Sequence, residues 1–236
     1  RMNSIRSIGI ILDGNRRWAK AKGVPALEGH RAGFEALKKL VTHAPNLKKK
    51  YGLEFVTLYA FSTENWNRAK EEVGYLMSLF EEALSFVLEE GIRDGEKDPE
   101  NAVRLKIIGQ RERFSEKIQM LMNEAEERTK NFGGITAVLA LSYGGRAEIL
   151  QAVEKIQKEN IPLSEESFSK ELWTTGIPDP DIIIRTGGEQ RLSNFLPWQA
   201  VYSELFFLEV LWPDFTLEHL EKIFEEYYSR ERRHGR

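Results

Sequence analysis

The chain predicts an α/β fold: a central, mostly parallel β-sheet flanked by helices. Over its 236 residues, short apolar runs alternate with longer amphipathic stretches, the pattern of strands that cross over through helices to pair in parallel. Several runs also stop abruptly in glycine, arginine and hydroxyl residues, as strand ends do where a parallel sheet meets its ligands. With 41% hydrophobic residues there is enough apolar material for one large core, so residues 1–236 read as one domain.

Taken in order, the first strand is 7–12, because four of the five residues leading into Asp13 are apolar. Trp18, Ala19, Lys20, Ala21 and Lys22 can then open a helix. Helical spacing covers 29–44, and a strand follows at 55–61. The stretch 70–90 is helical and apolar over more than one face, broader than an ordinary amphipathic helix. Residues 91–102 form the most polar and least periodic segment, followed by a strand at 103–108 and a helix at 113–131. Strand 135–141, helices 146–159 and 164–173, and strands 182–185 and 205–210 complete the alternation. No internal repeat or low-complexity tract interrupts it.

Two of the strand ends have the chemistry of anion sites. After the first strand stand Asp13, Gly14, Asn15, Arg16 and Arg17, where the amides of a helix N-terminus can bind phosphate oxygens. The two arginines can add charge-assisted bonds. Asp13 cannot favour a phosphate, and a divalent cation held between it and phosphate oxygens would explain its place. By itself Asp-Gly is a common turn signal. The run Asp181 to Phe195 repeats the arrangement, with Gly187 and Gly188 permitting close approach and Arg185, Arg191 and Ser193 supplying donors. Two such sites in one chain suggest two phosphorylated substrates.

Composition narrows the classes. A formal charge of −3 gives no basic field, so the arginines act locally and nucleic acid is a poor partner. With no cysteine, disulfides, thiol nucleophiles and cysteine-ligated zinc are excluded, which fits a cytoplasmic protein. No apolar run reaches the roughly 18 residues of a membrane span, and no signal peptide is visible before the first strand, so the expectation is a protein soluble or peripheral to the membrane. Neither the dinucleotide nor the P-loop glycine fingerprint occurs.

At this point the motifs match a family. Asp13 to Ala19, Gly29 to Gly33, Tyr59 to Arg68, Tyr143 to Arg146, Ile184 to Phe195 and Trp212 to Phe215 run in the order found in the cis-prenyltransferases, the undecaprenyl and dehydrodolichyl diphosphate synthase group. The resemblance implies condensation of isopentenyl diphosphate onto an allylic diphosphate, farnesyl or geranylgeranyl, giving a long-chain Z-polyprenyl diphosphate, with Mg2+ as cofactor. It makes Asp13 the metal-linked catalytic carboxylate, completed by Glu204, and Asn65 the residue assisting proton loss. Gly14, Asn15, Arg16, Arg17, Trp18 and His30 would serve the allylic substrate, Arg185, Arg191 and Ser193 the homoallylic one, and Ser62, Trp66 and Arg68 the loop between. A hydrophobic tunnel between sheet and helices would take up the chain, with Leu76, Phe80, Ala83 and Leu84 facing product. The family also implies a homodimer, with Arg233 and Gly235 reaching the partner's site, and product release toward membrane lipid.

Each residue has a plainer reading. His30 alone would be a satisfied helix histidine, Glu204 a solvent-facing acid, Trp66 a core aromatic, Asn65 an orienter of loop backbone, and the arginines at 230, 232 and 233 a basic tail. There are departures from the family too: Arg16 stands where many bacterial members have Gly, Ala26 where they have a diphosphate-binding Arg, Gln190 where some have His, and Ala69 where Pro is frequent. Residues 91–101 are longer than the matching bacterial connection, and in longer-chain relatives extra residues here extend the tunnel wall.

Two rivals remain. A haloacid-dehalogenase-like phosphatase needs a nucleophilic Asp two positions before Asp13, where Ile11 stands. A non-catalytic partner subunit of a two-component prenyltransferase would lack the acid and much of the first loop, yet Asp13 to Arg17 are all present.

Overall fold

A computed structural model describes residues 5–230. Its six strands are β1 (Ser7–Ile11), β2 (Phe55–Ser62), β3 (Arg104–Ile108), β4 (Thr136–Tyr143), β5 (Ile182–Arg185) and β6 (Glu204–Phe207). They form one sheet in the order β3-β4-β2-β1-β5-β6, and every pairing is parallel. β1 and β5 are buried along their whole length, as strands covered on both faces must be. Ile8, Ile10, Ile182 and Ile184 pack on one face with α2 and α8, described below. Tyr59, Val138, Ile183 and Phe195 pack on the other. Fully burying each such isoleucine contributes about 1.5–3 kcal/mol.

Register fixes where the chemistry lies. Ile11 aligns with Tyr59 on one side and with Arg185 on the other. The loops after β1, β2 and β5 therefore open at one end of the sheet. Between β1 and β5 the chain crosses from one half of the sheet to the other, the switch point at which such folds collect ligands.

Eight α-helices are seen among the described residues: α1 (Asn15–Lys22), α2 (Ala26–Tyr51), α3 (Lys70–Phe86), α4 (Ile92–Gly95), α5 (Glu116–Thr129), α6 (Gly145–Glu159), α7 (Glu165–Glu171) and α8 (Leu217–Ser229). α2 outruns its expected end at 44 and carries Pro45 inside it. Burial of Ala44 and Leu47 holds its last turns to the core, overriding the break that proline signals. α8 lay outside the expected elements, although Leu220, Ile223, Phe224 and Tyr227, all buried, follow helical spacing. The polar stretch after 90 is partly helical: a π turn, Val87–Gly91, joins α3 directly to α4.

The N-terminus of α1 lies hard against α2. A Cβ built on Gly29 would stand 2.1 Å from the Asn15 carbonyl oxygen and 3.0 Å from the Ala19 Cβ, so only glycine fits. Gly29→Ala should cost about 1–3 kcal/mol, lower the Tm by several degrees and weaken binding of anions at the α1 N-terminus. Thermal melting checks this; an unchanged Tm would show that the helices are free to separate.

Candidate active site

Asp13 follows β1 and is pinned by its backbone. Its N–H donates to Thr186 Oγ1 at 3.0 Å, while its carbonyl accepts from the Thr186 hydroxyl at 2.7 Å and from the Trp212 N–H at 3.0 Å. Gly14, at φ +120°, then turns the chain into α1 where a Cβ would press on Leu211 at 3.0 Å. That conformation is open to glycine and strained for other residues.

The carboxylate this turn presents lies between two guanidiniums. Arg185 Nη2 approaches Oδ2 at 2.9 Å and Arg17 Nη2 approaches Oδ1 at 3.1 Å. Arg185 is almost wholly buried, and its other amino group donates to the Arg191 carbonyl at 2.6 Å and Ser193 Oγ at 2.7 Å. One planar fork thus joins the ends of β1 and β5, a task the single ammonium of lysine cannot perform.

Around this pair opens a cavity of about 780 Å³ lined by Asp13, Gly14, Asn15, Arg16, Arg17, His30, Ser62, Glu64, Asn65, Arg68, Arg185 and Ser193 among others. Four arginines face two carboxylates on its walls, so it suits a polyanion. His30 Nε2 meets Glu72 Oε1 at 2.8 Å, and Arg68 donates to the same oxygen at 3.0 Å. Burial lowers the His30 pKa, and the charges of Arg68 and Arg16 push it the same way. Burial would raise Glu72, but the His30 bond and the arginine charges outweigh it and hold the group below its usual range. His30 is therefore neutral at pH 7, giving its ring proton to an ionised Glu72.

The cavity leads inward. Leu12, Asn15, His30, Ala60 and Leu76 also line a neck of about 80 Å³. Phe34, Leu37, Ala83 and Leu139 are shared in turn by that neck and an apolar chamber of about 310 Å³. The tunnel residues read from the sequence fall in order along this path: Leu76 at mouth and neck, Phe80 in the neck, Ala83 at neck and chamber, Leu84 in the chamber. Gly91, Asp94, Gly95, Asp98 and Asn101 line the chamber's far end.

Some expected residues stand elsewhere. Trp18 turns from the cavity and donates to Asp214 at 2.9 Å, because its position on α1 faces the Trp212–Asp214 turn. Trp66 points into the core, donating to Ser142 Oγ at 2.9 Å and packing on Phe61 and Phe114. Arg191 lies outside the cavity lining and pairs with Glu189, so it reaches the site with its backbone carbonyl. Glu204 does not join Asp13 within the chain. It starts β6 beside Ile182, which aligns with Ile8 at the opposite end of the sheet, and it pairs with Arg230 at 2.8 Å. Asn65 lines the cavity, but its Oδ1 accepts the Ser62 N–H at 3.0 Å and caps the turn Thr63–Asn67. Arg233 and Gly235 lie outside the described residues.

Glu72, Glu64 and Asn194 went unread in the sequence. Glu72 is one of several acids on α3, and its partner His30 is 42 positions away. Only its i,i+4 spacing from Arg68 hinted at a role.

An arginine-lined crevice at the switch point of a parallel sheet, beside a neck and an apolar chamber that share its wall residues, suits a ligand with a polyanionic head and an apolar tail. Comparison with known proteins agrees. A family model described as "Putative undecaprenyl diphosphate synthase" matches residues 11–235. The isoprenyl transferase of Thermotoga maritima is 46% identical over 97% of this chain and 95% of its own, and that of Neisseria gonorrhoeae 44% over 98% and 89%. Among solved structures, lavandulyl diphosphate synthase from Lavandula x intermedia, in complex with dimethylallyl diphosphate, superposes with a TM-score of 0.89 at 33% identity, covering 99% of both chains. A probable undecaprenyl diphosphate synthase from Campylobacter jejuni gives 0.79 at 31%, covering all of both. The chain belongs to the undecaprenyl diphosphate synthase family of isoprenyl transferases, and is a prenyltransferase.

Proposed function

We propose that residues 1–236 form one catalytic domain that condenses isopentenyl diphosphate onto farnesyl or geranylgeranyl diphosphate to build a long Z-polyprenyl diphosphate. The observation carrying this reading is that the arginine-lined mouth, the neck and the apolar chamber share wall residues in succession. Gly14, Asn15, Arg16 and Arg17 would hold the allylic diphosphate with its chain in the neck, beside the His30, Glu72 and Arg68 cluster. Arg185 and Ser193 would hold the homoallylic one, joined by the Arg191 guanidinium once its exposed side chain leaves Glu189.

In the reaction the allylic C–O bond breaks, a carbon–carbon bond forms to the terminal carbon of isopentenyl diphosphate, and a neighbouring carbon loses a proton. The departing diphosphate is a stronger base than an amide, so it takes that proton while Asn65 holds the Ser62 loop over the reacting carbons. The donor set fits Mg2+. Asp13 and Glu64 are the carboxylates on the cavity wall, and Mg2+ is commonly held by one or two carboxylates plus substrate phosphates. Asp13 would hold it, and the ion would supply charge stabilisation to the leaving diphosphate.

A second copy of the chain is the partner this reading expects. At and just before β6, Val201, Tyr202 and Leu205 are exposed apolar side chains it could cover. Among the described residues no helix is long and apolar enough to cross a membrane; we place the enzyme in the cytoplasm, releasing product toward membrane lipid.

The test is release of inorganic diphosphate from farnesyl plus isopentenyl diphosphates, with no phosphate released from phosphomonoesters. Phosphate release instead would support a phosphatase, and no turnover would support a silent subunit. Two further outcomes are expected. Arg191→Ala should raise the KM for isopentenyl diphosphate several-fold with little change in kcat, since an exposed cation contributes mainly to ground-state binding. A rise confined to the allylic substrate would show the two sites to be exchanged. Ala83→Trp, at the junction of neck and chamber, should shorten the product by overfilling a close-packed wall. Deletion of 96–100 should shorten it less, and an unaltered product distribution in either active variant would remove that residue from the tunnel wall.

A further inference from the structure

Asn194 joins three parts of the site. Its Oδ1 accepts the Arg146 N–H at 2.9 Å, its carbonyl accepts the Gly145 N–H at 2.8 Å, and its Nδ2 donates to Glu64 Oε1 at 3.1 Å. It lines the cavity beside Ser193. The loop it belongs to is strained: Ser193, Asn194 and Leu196 all have positive φ, at 47°, 69° and 48°. Such backbone is disfavoured for Ser193 and Leu196, less so for an asparagine, so surrounding contacts must hold the loop. The Glu64 turn to which it bonds is firmly built, capped by Asn65 and tied to β4 by Trp66. Burial raises Glu64, but its own backbone N–H, Asn194, Ser62 and Thr63 outweigh that and keep its pKa low, so the acceptor is ionised.

We infer that Asn194 is the positioning residue that locks the Arg191 to Leu196 loop onto the Glu64 turn, so that Ser193 stays 2.7 Å from Arg185 and the two substrate subsites keep a fixed separation. This rests on the two-diphosphate reading of the site. If the bond to Glu64 is lost, the strained loop should relax rather than the capped turn, so the homoallylic side should suffer first.

Asn194→Asp retains the acceptor for the Arg146 N–H and the tolerance of positive φ shared by Asn and Asp, but sets a carboxylate against Glu64. Steady-state kinetics should show the KM for isopentenyl diphosphate raised about tenfold or more, as expected when a hydrogen bond to a charged group is lost. Binding of an unreactive allylic diphosphate analogue should stay within about threefold of wild type, as a charge-assisted bond elsewhere is untouched. Adding Glu64→Gln restores a donor facing the new acceptor and should bring that KM back to within about threefold, the signature of a coupled pair. Asn194→Gly removes the side chain while permitting the backbone, and should raise the same KM if Asn194→Asp fails to fold. An unchanged KM in Asn194→Asp or Asn194→Gly, or a double variant as impaired as Asn194→Asp, overturns the proposal. A rescued rise in the allylic KM instead would leave the lock standing and overturn the substrate assignment.

Discussion

Asp13→Ala should fold, bind diphosphates at least as tightly as the wild type and lose turnover by roughly a thousandfold, the upper range for removal of one preorganised electrostatic group. The site geometry sets both halves of that result. In the native chain the carboxylate is shared by Arg17 at 3.1 Å and Arg185 at 2.9 Å. Its removal frees two guanidiniums for a ground-state diphosphate, so affinity should not fall. Turnover should fall because the group that aligns both arginines, and that would hold the cation, is gone. Lower kcat at equal KM is the pattern of an interaction made only in the transition state, and a lower KM besides marks a ground-state penalty relieved. Titration with an unreactive allylic analogue, beside steady-state kinetics, separates the two effects. Activity within a few-fold of wild type would remove Asp13 from the mechanism.

Arg185→Lys should be nearly as damaging despite keeping the charge. The guanidinium reaches the Arg191 carbonyl, Ser193 Oγ and Asp13 Oδ2 at once, at 2.6, 2.7 and 2.9 Å. An ammonium at this buried position cannot keep the fork geometry. Leaving one or two acceptors unpaired costs about 1–3 kcal/mol each, so kcat/KM for isopentenyl diphosphate should fall from roughly fivefold to roughly ten-thousandfold. The Tm should drop as well, since the same bonds tie the β5 loop to β1. If Arg185→Lys matched the wild type in both measurements, the fork would be incidental.

Much of the architecture is legible because apolar runs mark the strands and their interruptions mark the ligand end of the sheet. The bounds of Ile182–Arg185 are legible in the sequence, and so is the grouping of Asp13, Ser62 and Arg185, because each lies at or just past the carboxyl end of a strand. Side-chain direction was harder. Trp18 and Trp66 stand next to cavity residues in sequence, yet tertiary partners, Asp214 and Ser142, turn them away. Glu204 was misplaced for a different reason: the parallel pairing of β6 with β5 puts it at the amino end of the sheet, and no local pattern states which end of a neighbouring strand a residue will face. Glu72 was missed because its partner His30 comes from another helix. α8 was missed although its buried positions are helically spaced, and α2 runs past Pro45 because buried contacts outweigh a local breaker signal.

The most direct measurement of the central claim, that the mouth and the chamber form one elongation path, is the product made from farnesyl diphosphate and labelled isopentenyl diphosphate, dephosphorylated and resolved by chromatography. The expected product is a long Z-polyprenol, with intermediates extended stepwise and diphosphate released at each step. A product that stops after a single condensation, in enzyme that is folded and turning over, would contradict it.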